Sequence, residues 1–479
     1  MAKHTLDLTN DKQSPLKVIL LLSWPLFLEQ VLSTLVSFAD TAMVGGLGKT
    51  ATASISISNT FVFLINGVVL ALGVGLTAYV ARCIGAKDYE GAKVYIRHAL
   101  ILLAIVGLPI AMIPVLLHRQ IPLWMGAESD YLSLAQEYLL ITSSFRIFAM
   151  AMMVLGSVFR GRGDTKTPLR VNIFVNILNI LGNYILIHDP HTISLHIEFL
   201  NIHWDIAVFG AGLGVNGAAL STGISWLLGG TCLGILLFIK KDPTRISLKD
   251  SFKPDFPTIK RVFTLSIPAM LERFCMSASG IVVTKSIATL GTAAVAANTV
   301  YGTAESLSFM PAFAFATAAT TLVGQSLGAK KPDLAKRYVR YTVAIGCLVM
   351  LAAGICLFAF SDPLVKIINR DTDVVEIARR CLQIVAFVQP IQVIAWILAG
   401  GLRGAGDTRW PFYITAGGNW LIRALGAVLC IHLFHTGLPE VVVVLCIDQA
   451  ARAIFMYLRY RTGKWIHAIQ DKKTLKSES

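Results

Sequence analysis

A single displacement of 243 residues lays the first half of this chain over the second. Pro25 and Glu29 fall on Pro268 and Glu272, Leu47-Gly48 on Leu290-Gly291, and Gly85-Ala86-Lys87 on Gly328-Ala329-Lys330. Arg160-Gly161-Arg162-Gly163-Asp164-Thr165 falls on Arg403-Gly404-Ala405-Gly406-Asp407-Thr408, with Pro168 on Pro411. One offset held without a gap over most of each half marks an internal duplication. Whatever the first half builds, the second must build again.

The repeated unit is apolar. Hydrophobic residues make up 55% of the chain and charged residues 15%, with a mean hydropathy of +0.66; soluble domains are about a quarter charged. A span needs roughly 20 mostly apolar residues, and each half offers six such stretches. The chain therefore reads as an all-α polytopic membrane protein: twelve transmembrane helices in two six-helix lobes. An even number of spans returns the chain to its starting side, so both copies enter the membrane in the same sense. The repeat is then parallel, with a pseudo-twofold axis along the membrane normal and a pathway between the lobes, as in a transporter. The expected partition is an N-terminal lobe over 1–239, a cytoplasmic linker over 240–261, a C-terminal lobe over 262–461 and a cytoplasmic tail over 462–479.

The net charge of +14 raises nucleic acid as a partner, but its placement excludes that reading. Most Lys and Arg sit at the N-terminus, in every second loop and at the C-terminus, among them Arg82, Lys87, Lys93, Arg160, Arg162, Lys330 and Lys336. The opposite loops carry Glu128, Asp130, Asp189, Glu198, Asp205, Asp362 and Asp371. This alternation is the positive-inside pattern and puts both termini in the cytoplasm. The polar stretch Met1–Gln13 has no apolar core and is not a secretory signal; the first span directs insertion. The eight cysteines are scattered without C-x-x-C spacing and read as packing residues.

Between the fifth and sixth spans, Thr192 to Leu200 alternates loosely and has no counterpart in the second half, which suggests a short external hairpin or ordered loop. In the two Arg-Gly-x-Gly-Asp-Thr-x-x-Pro loops, the glycines end one helix and Pro168 and Pro411 suit the first turn of the next. Asp164 and Asp407 are expected to accept from nearby backbone amides or to pair with the loop arginines.

Ionisable groups inside spans are costly and are functional candidates by default. They are Glu29, Asp40, Arg146, Glu272, Arg273, Lys285, Glu305, Arg423, Asp448 and Arg452. Glu29 and Asp40 fall on one face of the first helix. The fifth span carries Asn172, Asn176, Asn179 and Asn183 on one stripe, which must meet protein or water rather than lipid. Groups that only hold a bundle together belong in both copies. Asn176 has its twin in Asn419, but Asp40, Asn179 and Asn183 correspond to Val283, Ile422 and Gly426. A polar cluster confined to one lobe points to a task performed once. Glu29 and Glu272 are shared, which suits packing or gating or a place in the substrate cavity. Glu305 and Arg423 are C-terminal singletons and cavity candidates; Glu305 could instead neutralise Arg273, Lys285 or Arg423. Asp448 and Arg452, four apart, are expected to pair.

The chain resembles the multidrug and toxin extrusion family over essentially its whole length. The resemblance rests on Phe38-Ala39-Asp40-Thr41-Ala42-Met43-Val44-Gly45, the Gly-Ala-Lys loops, the Arg-Gly-x-Gly-Asp-Thr loops and Gly214-Val215-Asn216-Gly217-Ala218-Ala219. It implies export of small organic, mostly cationic compounds driven by inward H⁺ or Na⁺, by a monomer in the bacterial cytoplasmic membrane, with no cofactor beyond the coupling ion. The chain is more similar to the DinF-like branch than to the NorM-like one, because residues 375–402 hold no acid beyond Glu376. By motif, Asp40, Asn179, Asn183, Ala218 and Thr222 match the ion-coupling positions. Asn183 departs from the aspartate common there, so one acid stands where two are usual, and the coupling ion stays open. If it is Na⁺, its ligands are Asp40, Asn179, Asn183 and Thr222.

The alternative is a lipid-linked sugar flippase of the same wider superfamily, whose pyrophosphate would call on Arg146, Arg273 and Arg423. A membrane enzyme or receptor finds no support in H-E-x-x-H, nucleophile or phosphate-loop motifs.

Overall fold

The computed structural model describes residues 8–10, 12–197, 202–208 and 210–469. Ten helices are long and apolar enough to cross a membrane: α1 (Pro15–Gly45), α2 (Lys49–Gly85), α3 (Tyr89–Leu116), α5 (Lys166–Ile187), α6 (Gly214–Ile239), α7 (Phe256–Ala288), α9 (Pro332–Ala359), α10 (Thr372–Ala405), α11 (Arg409–Leu433) and α12 (Leu438–Arg461). Two further spans are bent pairs: α4, Ser129–Ser144 with Arg146–Gly161, turns by 48°, and α8, Thr292–Ser306 with Met310–Gly328, by 49°. The bends fall at different places in the two repeats, the fourth span of one lobe and the second of the other. Large apolar side chains such as Trp24, Leu116, Ile281, Leu348 and Leu421 are exposed on the bundle, as a lipid-facing surface requires.

Between α5 and α6 lie two antiparallel strands, β1 (His191–Ile197) and β2 (Ile202–Val208), pairing His191 with Val208 through Ile197 with Ile202. The hairpin expected over Thr192–Leu200 is present where described; residues 198–201 lie outside the described part. The linker is shorter than 240–261, because α7 begins at Phe256, with Asp255 capping it by accepting from the Thr258 amide at 3.1 Å. What remains is fastened beneath the N-terminal lobe: Arg97 donates to Ser251 O (2.9 Å), Arg162 to Thr244 O (3.1 Å) and the Asp255 amide to His98 Nε2 (2.9 Å). At the other end of the chain, residues 462–469 fold back so that Trp465 is buried and stacked on Tyr460. Residues 1–7, 11 and 470–479 lie outside the described part.

The duplication visible in the sequence is repeated bond for bond. Thr77 Oγ1 donates to Ser157 O at 2.9 Å, and its twin Thr320 Oγ1 to Gly400 O at 2.9 Å. Glu29 accepts from Arg160 (3.0 Å) and Asn172 (2.7 Å); Glu272 accepts from Arg403 (2.6 Å) and Thr415 (3.1 Å). Every member of the second trio is the offset partner of the first. The Arg-Gly loops therefore send their first arginine into the lobe. Their aspartates pair elsewhere than expected: Asp164 with Lys240 at the end of α6, and Asp407 with Arg459 at the end of α12 (2.7 Å). Asp164 also accepts from the Thr167 amide at 3.1 Å, as anticipated.

Each lobe has a core of its own towards the end carrying the acidic loops. In the N-terminal lobe it contains Val44, Ala51, Tyr138, Ile187, Val215 and Ala218; in the C-terminal lobe Ile287, Ala297, Ala378, Leu382, Ala427 and Val441. Towards the basic end the lobes meet, with α2 against α7 and α8, and α1 against α8. Leu8, Val18, Ile19, Leu22 and Leu26 are buried with Ala312, Phe315, Leu322, Tyr338 and Ile397. The partition at 239/240 is therefore not a packing boundary: the first half of α1 packs in the C-terminal lobe's core.

The contact at the basic end is tight because small residues face backbone. A Cβ at Gly85 would strike Gln325 O, and a Cβ at Gly328 would strike Arg82 O; the two glycines are offset twins, and so are Arg82 and Gln325. Across the same seam Thr321 donates to Arg160 O and Gln325 to Gly161 O, both at 3.0 Å.

Two outcomes follow for the purified protein. Gly85→Ala combined with Gly328→Ala should cost about 1–3 kcal/mol per site through overpacking, whereas Gly280→Ala, which meets nothing within 4 Å, should leave thermal unfolding unchanged. Equal unfolding temperatures for the two proteins would contradict the close packing. At the loop, burial acts to raise the Asp164 pKa, but hydrogen bonds from Lys240 and Thr167 and the Lys240 charge prevail and hold its carboxyl below the usual range. A depressed carboxyl stabilises the fold above its unfolded pKa of about 4 and loses that contribution as pH falls through the lower native value. Asp164→Asn should thus lower the unfolding temperature at neutral pH, with the gap to wild type closing below about pH 4; a pH-independent gap would refute the ionic origin.

Candidate functional site

Helices α1 and α5 lie alongside one another in register. Asn172 reaches Glu29, and eleven residues further along both helices Asn183 Nδ2 donates to Asp40 Oδ1 at 2.5 Å. The amide stripe thus faces α1, and also α6: Asn179 Nδ2 donates to Thr222 Oγ1 at 3.2 Å, while Ser221 Oγ donates to Asn179 O at 2.9 Å. Close approach of α5 and α6 depends on Gly182 beside Ser221 and Gly217 against the Leu186 backbone. Four of the five residues singled out from sequence are thereby bonded in two pairs, Asp40 with Asn183 and Asn179 with Thr222. Ala218, buried in the surrounding core with Tyr138 and Val215, supplies a wall and no polar side chain.

The polar bookkeeping of this cluster is incomplete. Asn179 and Asn183 are 5% and 1% exposed, and the Oδ1 atom of each is buried without a donor. Among the described residues no Lys or Arg lies within ion-pair distance of Asp40, whose bonded partner is Asn183. One carboxylate, two orphaned amide oxygens and a hydroxyl form an all-oxygen set, the kind that hard cations select. Arg146, buried in the same lobe, is occupied elsewhere: it donates to Asn66 Oδ1 at 2.7 Å and lies 5.1 Å from the Trp226 ring centroid.

The C-terminal lobe has no such cluster at the offset positions Val283, Ile422 and Gly426. It has charges instead. Asp448, fully buried, holds both Arg452 and Arg423, the latter at 3.0 Å. The expected Asp448–Arg452 pair thus has a third member, delivered by a stretch of α11 over Gly418–Ala424 wound as π-helix, a wider turn common at functional sites. Its twin, α5, is regular. Glu305 is consequently not tied to Arg423, and among the described residues none of Arg273, Lys285 or Arg423 is within ion-pair distance of it. It borders a cavity of about 240 Å³ with Tyr301, Phe309, Trp396 and Gln449, and Arg423 on the wall.

The shared acids have different surroundings. Glu29 is half-buried and held by Arg160 and Asn172; Glu272 edges a small C-terminal cavity, with both carboxylate oxygens taken by Arg403. Asn176 is half-buried and makes no side-chain hydrogen bond among the described residues, while its twin Asn419 donates to Thr415 O. The arginine partners Arg160 and Arg403 escaped the sequence reading because they stand at the loop edge; their signal was present in the exact repetition of the loop. Tyr138, buried in the same core as Ala218, carried no signal.

Comparison with known proteins follows the same lines. The MatE family model matches residues 25–185 and again 268–429, two copies whose starts are 243 residues apart. A probable multidrug resistance protein NorM of Thermotoga maritima is 28% identical over 94% of this chain and 93% of its own length. The uncharacterized transporter YisQ of Bacillus subtilis is 25% identical over 93% and 94%. Among solved structures, a MOP superfamily transporter from Pyrococcus furiosus, described as having a binding pocket of reverse polarity, superposes with a TM-score of 0.85 at 23% identity, covering 98% of this chain and all of that one. The outward-facing conformation of a multidrug resistance MATE family transporter gives 0.83 at 24%, covering 96% and 97%. With the family model covering both halves, the full-length relatives and the duplicated twelve-span fold, this chain belongs to the MatE family of multi-pass membrane transporters.

Proposed function

We propose that this protein is a secondary active antiporter that exports small organic, mostly cationic drugs or toxic compounds across the bacterial cytoplasmic membrane, in exchange for inward H⁺ or Na⁺ bound at Asp40. The observation that carries the reading is the Asp40 carboxylate bonded to Asn183, with the amide oxygens of Asn183 and of Asn179, one turn earlier on α5, buried without donors. Asn179, Asn183 and Thr222 complete the oxygen set, and Ala218 closes it. The tenth span adds weight: its acid, Glu376, lies at the helix start and is paired with Arg379 and Arg380, so it is no rival. The relatives named as multidrug resistance proteins support the same substrate class.

Neutralisation of Asp40, by a proton or by Na⁺, removes the charge that attracts a cationic substrate, so ion and drug compete. Exchange follows when the transporter carrying neither is slow to switch between its two openings. The tight seam at the basic end is a contact that such a switch must break, and the positive-inside pattern supports a cytoplasmic side for that seam and both termini. One charge crossing 100 mV releases about 2.3 kcal/mol, and one pH unit adds about 1.4 kcal/mol. Concentrating a neutral drug a hundredfold requires about 2.7 kcal/mol, so one ion suffices; a cation moved against the potential requires more.

The flippase reading finds less support. Of its three arginines, Arg146 is occupied by Asn66 and Trp226, and Arg423 by Asp448.

In vesicles loaded with a fluorescent organic cation and challenged separately with a pH jump and a sodium jump, wild-type protein should respond to one of the two. Asp40→Asn should reduce that response to background while leaving expression and thermal unfolding unchanged. Full ion-driven efflux by Asp40→Asn would end the assignment. Asn183→Leu, which removes an orphaned oxygen and the bond to Asp40, should weaken the apparent affinity for the effective ion severalfold, read from the ion dependence of the initial rate; an unaltered dependence would remove Asn183 from the site.

A further inference from the structure

Arg273 is an intramembrane charge for which the efflux reading has no use. It lies on α7 one residue after Glu272, yet Glu272 is engaged by Arg403 and Thr415, and among the described residues Arg273 makes no hydrogen bond or ion pair. It is not a repeated feature, since its offset partner is Gln30. It also stands where a ligand would pass. Across from its Cβ is Gly67 of α2, whose missing side chain leaves the position open, and Arg273 lines the space between the lobes together with Arg160 and Arg403. The Nε–H groups of those two arginines are buried without acceptors.

The charge count around it does not close. The two C-terminal cavities are lined by Arg273, Arg403, Arg423 and Arg452 and by the acids Glu272 and Glu305, with Asp448 buried behind Arg423 and Arg452. Arg403 is paired with Glu272, and Arg423 and Arg452 with Asp448, which leaves one arginine of the four with no ion pair among the described residues. That arginine is Arg273. An unmatched guanidinium at membrane depth is retained at a cost, and its planar fork suits a carboxylate.

The three spaces share one aromatic side chain: Trp396 borders the interlobe space, the small cavity at Glu272 and the larger cavity at Glu305. Its ring lies 5.7 Å from that of Phe309. From one end to the other the wall therefore runs from an unmatched cation, over an aromatic surface, to a carboxylate with no ion pair.

We propose that Arg273 docks the carboxylate of zwitterionic aromatic substrates, with their aromatic body on Trp396 and their cationic end towards Glu305. This deepens the efflux reading and rests on it: the substrates are the same amphiphilic aromatics, and Arg273 decides whether those bearing an acid are accepted. Arg403 and Arg160, each already paired, extend the donor surface through their free N–H groups.

A matched pair of dyes tests this. Rhodamine 110 carries a free carboxylate, and rhodamine 123 is its methyl ester, the same fluorophore as a simple cation. Binding of each to the purified full-length protein is followed by fluorescence polarisation at neutral pH. Wild type should bind both. Arg273→Gln should weaken rhodamine 110 by about tenfold or more, the effect of losing one charge-assisted hydrogen-bonded contact, and leave rhodamine 123 within about twofold. Arg273→Lys, which keeps the charge, should retain most of the free-acid affinity. Equal weakening of both dyes by Arg273→Gln, no weakening of either, or wild type that binds the ester and refuses the acid would each overturn the proposal while leaving cation efflux standing. Wild type that binds neither dye would count against the efflux reading and take this inference with it.

Discussion

Everything in this fold is arranged around the cost of charge in a membrane, and the repeated Glu–Arg pair is where that cost is first met. Glu29 with Arg160, and Glu272 with Arg403, cross each lobe near the seam between them. Each carboxylate is additionally satisfied by a side chain from the fifth helix of its lobe, Asn172 or Thr415. Burying either member alone would leave a charge with neither water nor a counter-ion, so the pair is retained as a unit. It also ties the first helix of each lobe to the end of the helix that precedes the Arg-Gly loop. The backbone carbonyl of the same Arg160 accepts from Thr321 of the opposite lobe, so the intralobe pair and the interlobe seam share one residue.

That sharing gives α1 an unusual position. Its first half is buried among C-terminal helices, its middle is held by Arg160, and its far half carries Asp40 against Asn183. Pro25, between the first two of these regions, removes one backbone donor and loosens the helix there. In the proposed reading an event at Asp40 is therefore felt along one continuous helix that both lobes hold. The geometry supplies the route; the two-state element that gives it meaning is the glycine seam, which is either packed or parted because a Cβ-free contact has little intermediate ground.

Much of this was legible in the sequence for a simple reason: duplication turns a sequence into its own comparison. The offset of 243 residues separated Glu29 and Glu272, which proved to have equivalent partners, from Asp40, Asn179 and Asn183, which have none in the second lobe. Hydropathy located the spans because lipid admits only helices whose backbone is internally satisfied. The misplacements have an equally physical origin. The loop aspartates were expected to meet nearby backbone amides, as Asp164 does at Thr167, or the loop arginines; Lys240 and Arg459 reach them instead of those arginines, from the ends of other helices that nearness along the chain does not show. The triad at Asp448 was read as a pair because the π-wound turns of α11 that present Arg423 have no signature in a pattern of period 3.6. And the division at residue 239 missed that the first half of α1 is packed with the other lobe, since hydrophobicity marks what is buried without saying against what.

In the proposed reading, breaking the symmetry is what leaves two tasks room to coexist. A carboxylate that must change its charge needs neighbours that tolerate both states, and neutral amides and a hydroxyl do so where an arginine would lock it. Asp40 has the former in a lobe where Arg146 is diverted to Asn66 and Trp226. Recognition of varied substrates has the opposite requirement, fixed charges on a broad aromatic wall, and the C-terminal lobe holds Arg273, Trp396 and Glu305 in that order. Had both lobes kept identical polar residues, a ligand in the cleft would meet the same potential on either side and would be drawn to the ion's own carboxylate as strongly as to its binding wall. Divergence of the copies separates the two attractions by the width of the interlobe space. The seam and the Glu–Arg pairs meanwhile repeat in both lobes, so in the proposed reading the halves share their frame and differ where the ion and the cargo would bind.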